Sequence, residues 1–251
     1  MNMLKSRLKS FKLSGIYATV DERLSFAKDK SLSCQEFLEL LLEDEENNRR
    51  ENSYKKRYSK AKLPYQKRIE DFDFGFQPDM DRRLVNDFAT CQFIEHRKNI
   101  VFIGKPGVGK SHISVGIAIK ALLKGYNVLF TQVSEMLQAL HQSKADNSYY
   151  KKLNYYINPD LLILDELGFK KVPNYSADDF FEVISKRYEK GSVIITTNKN
   201  FEEWGNIFAD NILASAIIDR VVHHSTIVKV NGDSYRTKNV KKGKPFYKKK
   251  R

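Results

Sequence analysis

Eight residues near the middle of the chain have the spacing of a phosphate-binding loop. The stretch GKPGVGKS runs from Gly104 to Ser111 and directly follows the apolar run NIVFI. The pattern GxxxxGK[ST] is specific where it joins a strand to a helix, because its glycines let backbone N–H groups turn toward phosphate oxygens. Lys110 is then expected to reach the β- and γ-phosphates, and Ser111 to bind Mg²⁺. The expected nucleotide contacts are Gly104, Lys105, Pro106, Gly107, Val108, Gly109, Lys110, Ser111 and His112.

Two adjacent carboxylates follow a second apolar run, LLILDE. Asp165 is expected at the carboxyl end of a buried strand, where it can hold Mg²⁺ through the water shell of the ion. Glu166 is placed to orient an attacking water. An acidic residue beside the metal ligand suits hydrolysis, whereas a kinase must keep water away from its acceptor. The alternative is a pair of carboxylates at a strand end that have no catalytic role.

Two further polar side chains each allow two interpretations. Asn198 ends the run IITTN, and its amide could contact the γ-phosphate or the attacking water if its strand lies beside the P-loop strand. Otherwise Asn198 caps the loop that follows. Arg220, in AIIDRVV, either pairs with Asp219 at the surface or serves as an arginine finger for the γ-phosphate of a neighbouring subunit.

Strands and helices alternate along the second part of the chain. The helices are predicted in KSHISVGIAIKALLKG, SEMLQALHQ and SADDFFEVISKRYEKG. The strands are predicted in NIVFIG, NVLFTQ, DLLILDE, SVIITTN and TIVKV. This alternation predicts an α/β fold, with a five-stranded parallel sheet covered by helices on both faces. The sheet would bring the P-loop and the strand-end polar residues to one edge.

The N-terminal part of the chain is predicted to be helical. Apolar residues recur at helix spacing, and SCQE supplies a capping box from Ser33 to Glu36. Pro64 is expected to end the last of these helices. We therefore expect a small helical domain over residues 1–66, an ATPase domain over 67–237 and a basic tail over 238–251. About 20 residues follow TIVKV, too few for a helical lid over the nucleotide.

The charge balance points to a polyanionic partner. Lys and Arg outnumber Asp and Glu by 44 to 31, for a net charge of +13. No apolar run is long enough for a membrane span, so nucleic acid is favoured over a membrane. Cys34 and Cys91 fit no zinc spacing and are expected to be unpaired thiols in a reducing compartment. The expected location is the cytoplasm.

Two basic stretches are candidates for DNA contact within the ATPase region. Lys151 and Lys152 alternate with tyrosines in SYYKKLNYY, which suits backbone contact with some stacking, although the stretch could equally be a helix that buries its tyrosines. Lys170 and Lys171 follow Glu166 closely and could link DNA contact to hydrolysis, or lie in an ordinary surface loop. Binding by charge alone predicts weak sequence specificity and strong salt dependence.

The order of these motifs, continued by GDSYR with Arg236, resembles the AAA+ ATPases of the DnaC and IstB type, and the IstB-like transposition helper ATPases in particular. The resemblance extends almost end to end and includes LPYQKRIEDFDF and VVHHSTIV. It implies an AAA+ fold without a full C-terminal lid, with the strand of Asn198 between the P-loop strand and the strand of Asp165. It also implies a sensor role for Asn198, a finger role for Arg220 and a second, sensor-like role for Arg236.

The resemblance further implies a function. ATP and Mg²⁺ would promote a homo-oligomer on target DNA, a cognate transposase would be recruited, and hydrolysis would dismantle the complex. Without a lid, a neighbouring subunit would help to close the pocket, so nucleotide and oligomer states would be coupled. Two alternatives stay open at this point: a DnaC-like loader of a replicative helicase, and a nucleotide or small-molecule kinase that is indifferent to DNA.

Overall fold

The computed structural model describes residues 3–169 and 174–237, with the backbone alone at residues 174 and 175. The chain forms two compact units that divide between Arg57 and Tyr58. Lys170, Lys171 and the basic tail 238–251 lie outside the described residues. No helix in the described ranges combines the length and the apolar character needed to cross a membrane.

The N-terminal unit consists of helices, as predicted. They are α1 (Met3–Ser10), α2 (Ser14–Lys30) and α3 (Cys34–Ala61), whose last four residues belong to the second unit. The predicted capping box is present, because Glu36 N–H donates to Ser33 Oγ and Ser33 N–H donates to the Glu36 carboxylate. α3 ends before Pro64. The apolar core of this unit is small: Leu8, Ile16, Val20 and Leu41.

A close contact joins the start of α2 to α3. The Glu45 carboxylate on α3 accepts hydrogen bonds from Gly15 N–H at 2.7 Å and Ile16 N–H at 3.3 Å, so it caps the N-terminus of α2. A Cβ atom at Gly15 would lie 2.6 Å from backbone atoms of Asp44 and Glu45. Glycine is therefore required here by the proximity of the two helices.

The second unit is a parallel α/β domain. Its strands are β1 (Asn99–Gly104), β2 (Val128–Gln132), β3 (Leu161–Leu167), β4 (Ser192–Thr197) and β5 (Ser225–Val230). Its helices are α4 (Arg82–Ala89), α5 (Gln92–Glu95), α6 (Lys110–Leu123), α7 (Val133–Ser143), α8 (Tyr149–Ile157), α9 (Asn174–Arg187), α10 (Trp204–Phe208) and α11 (Asn211–Val222). The helices α4, α5, α10 and α11 had not been assigned from the sequence.

The five-stranded parallel sheet is confirmed, and its strand order is β2-β3-β4-β1-β5. β4 lies between β1 and β3, as the family resemblance implied. Because all strands are parallel, their carboxyl ends meet at one edge of the sheet, where open α/β sheets bind ligands. The interiors of β1, β2, β3 and β4 are buried on both faces, which explains their continuous apolar runs, whereas β5 is partly exposed.

Candidate nucleotide-binding site

The P-loop connects β1 to α6, the context that its sequence predicted. Gly107 and Gly109 adopt φ angles of +85° and +99°, in the left-handed region that favours glycine. A Cβ atom would lie 2.1 Å from Ser234 Oγ at the first position and 2.3 Å from a ring carbon of Phe72 at the second. Backbone conformation and close packing therefore both require glycine at these two positions.

The side chain of Lys110 lies inside the curve of the loop. Its Nζ donates to the carbonyl oxygens of Gly104 at 2.7 Å and Lys105 at 3.0 Å. Burial lowers the pKa of Lys110 to about 8, although the nearby carboxylate of Asp165 opposes this shift. An anion in the loop would compensate for the lost hydration of the ammonium group, so the lysine fits a phosphate ligand.

Ser111 and Asp165 meet at the start of α6, although they are distant in sequence. Ser111 Oγ donates to Asp165 Oδ1 at 2.7 Å, and the hydroxyl of Thr196 donates to the same oxygen at 2.5 Å. The carboxylate is buried. Hydroxyl and carboxylate oxygens suit Mg²⁺, which is commonly held by one or two such groups together with nucleotide phosphates and water. The pair therefore fits the predicted metal site.

Glu166, next to Asp165, has an unusual backbone. Its φ is +63°, although it is not glycine, and the pairing of β3 with β4 is irregular between Leu164 and Leu167. Holding a non-glycine residue in this region costs about 1–3 kcal/mol, and such conformations cluster at functional sites. The Glu166 side chain is exposed, whereas that of Asp165 is buried. The bulge thus directs one carboxylate toward the P-loop and leaves the other accessible to solvent.

Asn198 and Arg236 both lie close to this edge of the sheet. Asn198 directly follows β4 and is exposed, and Arg236 lines the same cavity as Lys110. Arg220 lies on α11, where its guanidinium packs 4.8 Å from the ring centre of Phe181 and donates to the Ala216 carbonyl. Asp219 and Arg220, both among the described residues, form no ion pair with each other.

A cavity of about 350 Å³ adjoins the P-loop, and part of its lining had not been recognised in the sequence. The residues missed are Tyr65, Lys67, Asp71, Phe72, Asp73, Gln77 and Tyr235. The expected contact His112 is also here: its Nε2 lies 2.8 Å from the Arg68 carbonyl, and its ring meets Phe72 edge-on at 5.3 Å. The junction sequence LPYQKRIEDFDF, with its three aromatic residues, was the available signal for this wall.

The segment after β5 forms another part of the cavity. Tyr235 N–H donates to the Gly107 carbonyl at 2.9 Å, so this segment is hydrogen-bonded directly to the P-loop. The Gln77 side chain donates to the Asp233 carbonyl, and Asn231 N–H donates to Asp79 at 3.2 Å. Arg236 is thereby held in the cavity beside the P-loop by the residues that precede it.

The candidate DNA-binding stretch around Lys151 and Lys152 forms α8, and its tyrosines divide between two environments. Tyr156 is buried, and Tyr149 donates hydrogen bonds to Asp179 and Glu182. Tyr150 and Tyr155 are exposed, as is Lys151. The helix therefore buries Tyr156, partly buries Tyr149, and presents Tyr150, Tyr155 and Lys151 to solvent.

The P-loop, the Ser111–Asp165 pair and a sheet with β4 between β1 and β3 define a P-loop ATPase of the AAA+ class. The chain belongs to the family of IstB-like ATP binding proteins, whose model matches residues 6–243. It is 38% identical over 242 residues to a Pseudomonas aeruginosa protein named as an ATP-binding protein of insertion sequence IS21, covering 96% of this chain and 91% of the relative. A Geobacillus stearothermophilus protein named for insertion sequence IS5376 is 39% identical over 211 residues, 84% of each chain.

The fold is also similar to a solved structure. The crystal structure of the DnaC helicase loader superposes with a TM-score of 0.51 at 23% sequence identity, covering 70% of this chain and 99% of that chain. At this identity the likeness concerns the fold alone.

Proposed function

We propose that the chain is an ATP-dependent, DNA-binding helper of transposition. It assembles as a homo-oligomer on target DNA in the ATP state, recruits and activates a cognate transposase, and is dismantled by hydrolysis. The observation that carries this proposal is the relationship, over nearly the whole chain, to ATP-binding proteins of insertion sequences. The adjacent pair Asp165 and Glu166 supports hydrolysis rather than transfer to an acceptor, and so disfavours a kinase.

In this proposal, several side chains at the edge of the sheet have roles in hydrolysis. The P-loop and Lys110 would bind the β- and γ-phosphates, and Ser111 and Asp165 would hold Mg²⁺, which would neutralise phosphate charge. Glu166, accessible to solvent, orients the attacking water and accepts its proton as the γ-phosphoryl group leaves the β-phosphate. Asn198, at the end of β4, contacts the γ-phosphate or that water, and Arg236 contacts the phosphates from the C-terminal segment.

A neighbouring subunit completes the site in this proposal. Arg220 lies on α11, where its stacking on Phe181 leaves the guanidinium only half-buried. On the same helix Ile212 is 85% exposed, and a neighbouring copy would bury this side chain in the proposed interface. Arg220 would then act as an arginine finger for the γ-phosphate bound by the next copy.

DNA binding in this proposal depends on charge. The net charge of +13 and the outward face of α8, with Lys151, Lys152 and two exposed tyrosines, support contact with the phosphate backbone. Lys170 and Lys171 stay proposed DNA contacts on sequence grounds. Weak sequence specificity follows, since these groups carry no pattern that reads base edges.

The N-terminal helical domain, residues 1–66, is proposed to bind the transposase. Several large apolar side chains of this domain are exposed, among them Met3, Leu38 and Leu42 on its helices and Phe11 in the turn after α1. A DnaC-like role with a replicative helicase remains the alternative function, which the likeness in fold does not distinguish. A pull-down with the N-terminal domain separates the two, since it retains a transposase in one case and a helicase in the other.

The sharpest test of the proposed function uses Glu166→Gln in the full chain. The variant keeps the size of the side chain and removes its basicity, so we expect ATP affinity within about threefold of wild type and hydrolysis slower by about 100-fold or more. Its complex with ATP and duplex DNA should persist where the wild-type complex decays. Hydrolysis rate and complex size are measured against protein concentration, with and without DNA.

The matched control for this experiment is Glu202→Gln, which changes an exposed carboxylate in the short 3-10 helix after β4. It should hydrolyse ATP at the wild-type rate. A wild-type protein that stays monomeric with ATP, Mg²⁺ and DNA all in excess contradicts the assembly proposal. Normal hydrolysis by Glu166→Gln contradicts the role given to Glu166.

A further inference from the structure

The pairing of β3 with β4 contains one extra residue on β3. Leu164 pairs with Ile195 and Leu167 pairs with Thr197, so Asp165 and Glu166 together oppose the single residue Thr196. An unequal count of this kind is a β-bulge, which bends a strand and redirects its side chains. The bulge therefore falls on the two carboxylates to which the site assigns metal binding and water orientation.

The side chain of Thr196 connects both residues of the bulge. Its hydroxyl donates to Asp165 Oδ1 at 2.5 Å and accepts a hydrogen bond from Glu166 N–H at 3.0 Å. This amide, displaced by the bulge, finds its acceptor in a side chain rather than in the backbone of β4. The left-handed conformation of Glu166 thus has a partner that stabilises it.

Packing alone does not explain the hydroxyl group of Thr196. Thr196 is 1% exposed on a strand whose residues are all buried, between Ile195 and Thr197. A buried hydroxyl is stable only with hydrogen-bond partners, and here both partners belong to Asp165 and Glu166. Valine has nearly the same shape and would pack equally well, so packing alone does not call for a hydroxyl.

We propose that Thr196 is a positioning residue for hydrolysis: its buried hydroxyl fixes the Asp165 carboxylate and holds the bulge that directs Glu166 to the attacking water. The inference rests on the proposed ATPase function of the same site. Ser111 also donates to Asp165, but it belongs to α6 and is itself a proposed magnesium ligand. Thr196 holds the carboxylate from the sheet, independently of the nucleotide.

The test compares Thr196→Val, which removes the hydroxyl, with Thr196→Ser, which keeps it. We expect Thr196→Val to hydrolyse ATP roughly 10- to 100-fold more slowly, because small misplacements of a catalytic group have effects of this size. Its affinity for ATP should stay within about threefold of wild type, because the P-loop is unchanged. Thr196→Ser should recover most of the rate.

A second readout does not depend on catalysis. In the nucleotide-free protein, the Glu166 amide should exchange its hydrogen with solvent faster in Thr196→Val than in wild type, since its acceptor is gone. The matched control is Thr131→Val on β2, the strand on the other side of β3. Thr131 is also buried, but its hydroxyl donates to the Gln132 carbonyl. This control should leave both the rate and the Glu166 exchange unchanged.

The outcomes separate this inference from the proposed function. Absence of ATP hydrolysis by the wild-type protein refutes the proposed function itself. If the wild type hydrolyses ATP and Thr196→Val matches it, or if serine fails to restore the rate, the positioning role is wrong. Loss of ATP binding in parallel with hydrolysis also overturns it, because that is the result of a structural defect. Should Thr196→Val fail to fold, Thr196→Ala gives the same comparison without a β-branched side chain.

Discussion

Among the residues that the structure describes, the N-terminal unit has a core of four buried apolar side chains, whereas a single core cluster of the ATPase unit contains 24. A small helical unit with so little apolar burial is marginal, and each remaining contact between its helices matters more. In the N-terminal unit a buried carboxylate, Glu45, caps one helix from another. In the ATPase unit a buried carboxylate, Asp165, lies in the site instead. Because the larger apolar core stabilises the ATPase unit, the polar groups at the edge of its sheet are available for chemistry.

The largest effect that we expect is a loss of ATP affinity in the ATPase unit, which should keep its fold. Lys110→Ala removes the only ammonium group held inside the P-loop of the described chain, and ATP affinity should fall by about 100-fold or more, as for the loss of a desolvated charge-assisted contact. Nucleotide binding is followed by titration calorimetry and folding by the melting temperature. The control is Lys120→Ala, at a residue on the same helix as Lys110 that forms an ion pair with Glu70, and this variant should bind ATP normally. A large fall in the melting temperature of Lys110→Ala would contradict the prediction that this residue serves ATP binding and not the stability of the fold.

The next largest effect is on folding in the N-terminal unit. Gly15→Val places a branched side chain where a Cβ atom already lies 2.6 Å from the backbone of α3, so we expect a loss of about 3 kcal/mol in the free energy of unfolding of that unit. Hydrogen exchange of α2 and α3 measures this loss, and ATP binding should be unchanged. Ala18→Val, on an exposed position of α2, is the control and should cost about 0.5 kcal/mol. Equal costs for the two variants would show that α2 and α3 do not need the close contact.

The smallest effect concerns the buried helix cap. Glu45→Ala removes the acceptor for two N–H groups of α2, and it should destabilise the N-terminal unit by about 1–2 kcal/mol. The next residue provides the control, because Glu46 forms an exposed pair with Arg50 and Glu46→Ala should cost less than about 0.5 kcal/mol. Chemical denaturation followed by hydrogen exchange of α2 measures both. A similar cost for the two variants would mean that burial gives Glu45 no special role.

The same cap predicts a dependence on pH. Burial raises the pKa of Glu45, but the hydrogen bonds from Arg49 and from the N–H groups of α2 outweigh it and hold the pKa below its ordinary value of 4.5. A carboxylate with a lowered pKa stabilises the fold above its unfolded pKa, and this contribution is lost as the pH falls through the folded pKa. The N-terminal unit should therefore lose stability below about pH 4.5, and Glu45→Ala should lose less over the same range.

Local patterns allowed much of the ATPase unit to be predicted. The strands, their parallel arrangement and the P-loop context followed from apolar runs and from a motif whose spacing encodes one loop conformation. Thr196 could not be recognised, because its hydroxyl matters only through a bulge in another strand. Tyr65 and Tyr235 were missed for a related reason. Tyr65 precedes the strands of the sheet in the chain and Tyr235 follows them, and neither tyrosine belongs to a spaced motif, although both line the cavity.

The amino-acid sequence by itself determined which residues could bind a triphosphate, because the P-loop is contiguous and its glycines dictate the local backbone. It also determined the alternation of elements, since burial on both faces of the sheet imposes long apolar runs. Only the tertiary structure decided that one oxygen of Asp165 accepts hydrogen bonds from both Ser111 and Thr196, and that Arg220 stacks on Phe181 instead of pairing with Asp219. Such contacts join residues far apart in the chain, and their geometry depends on strand order and on a single extra residue in β3.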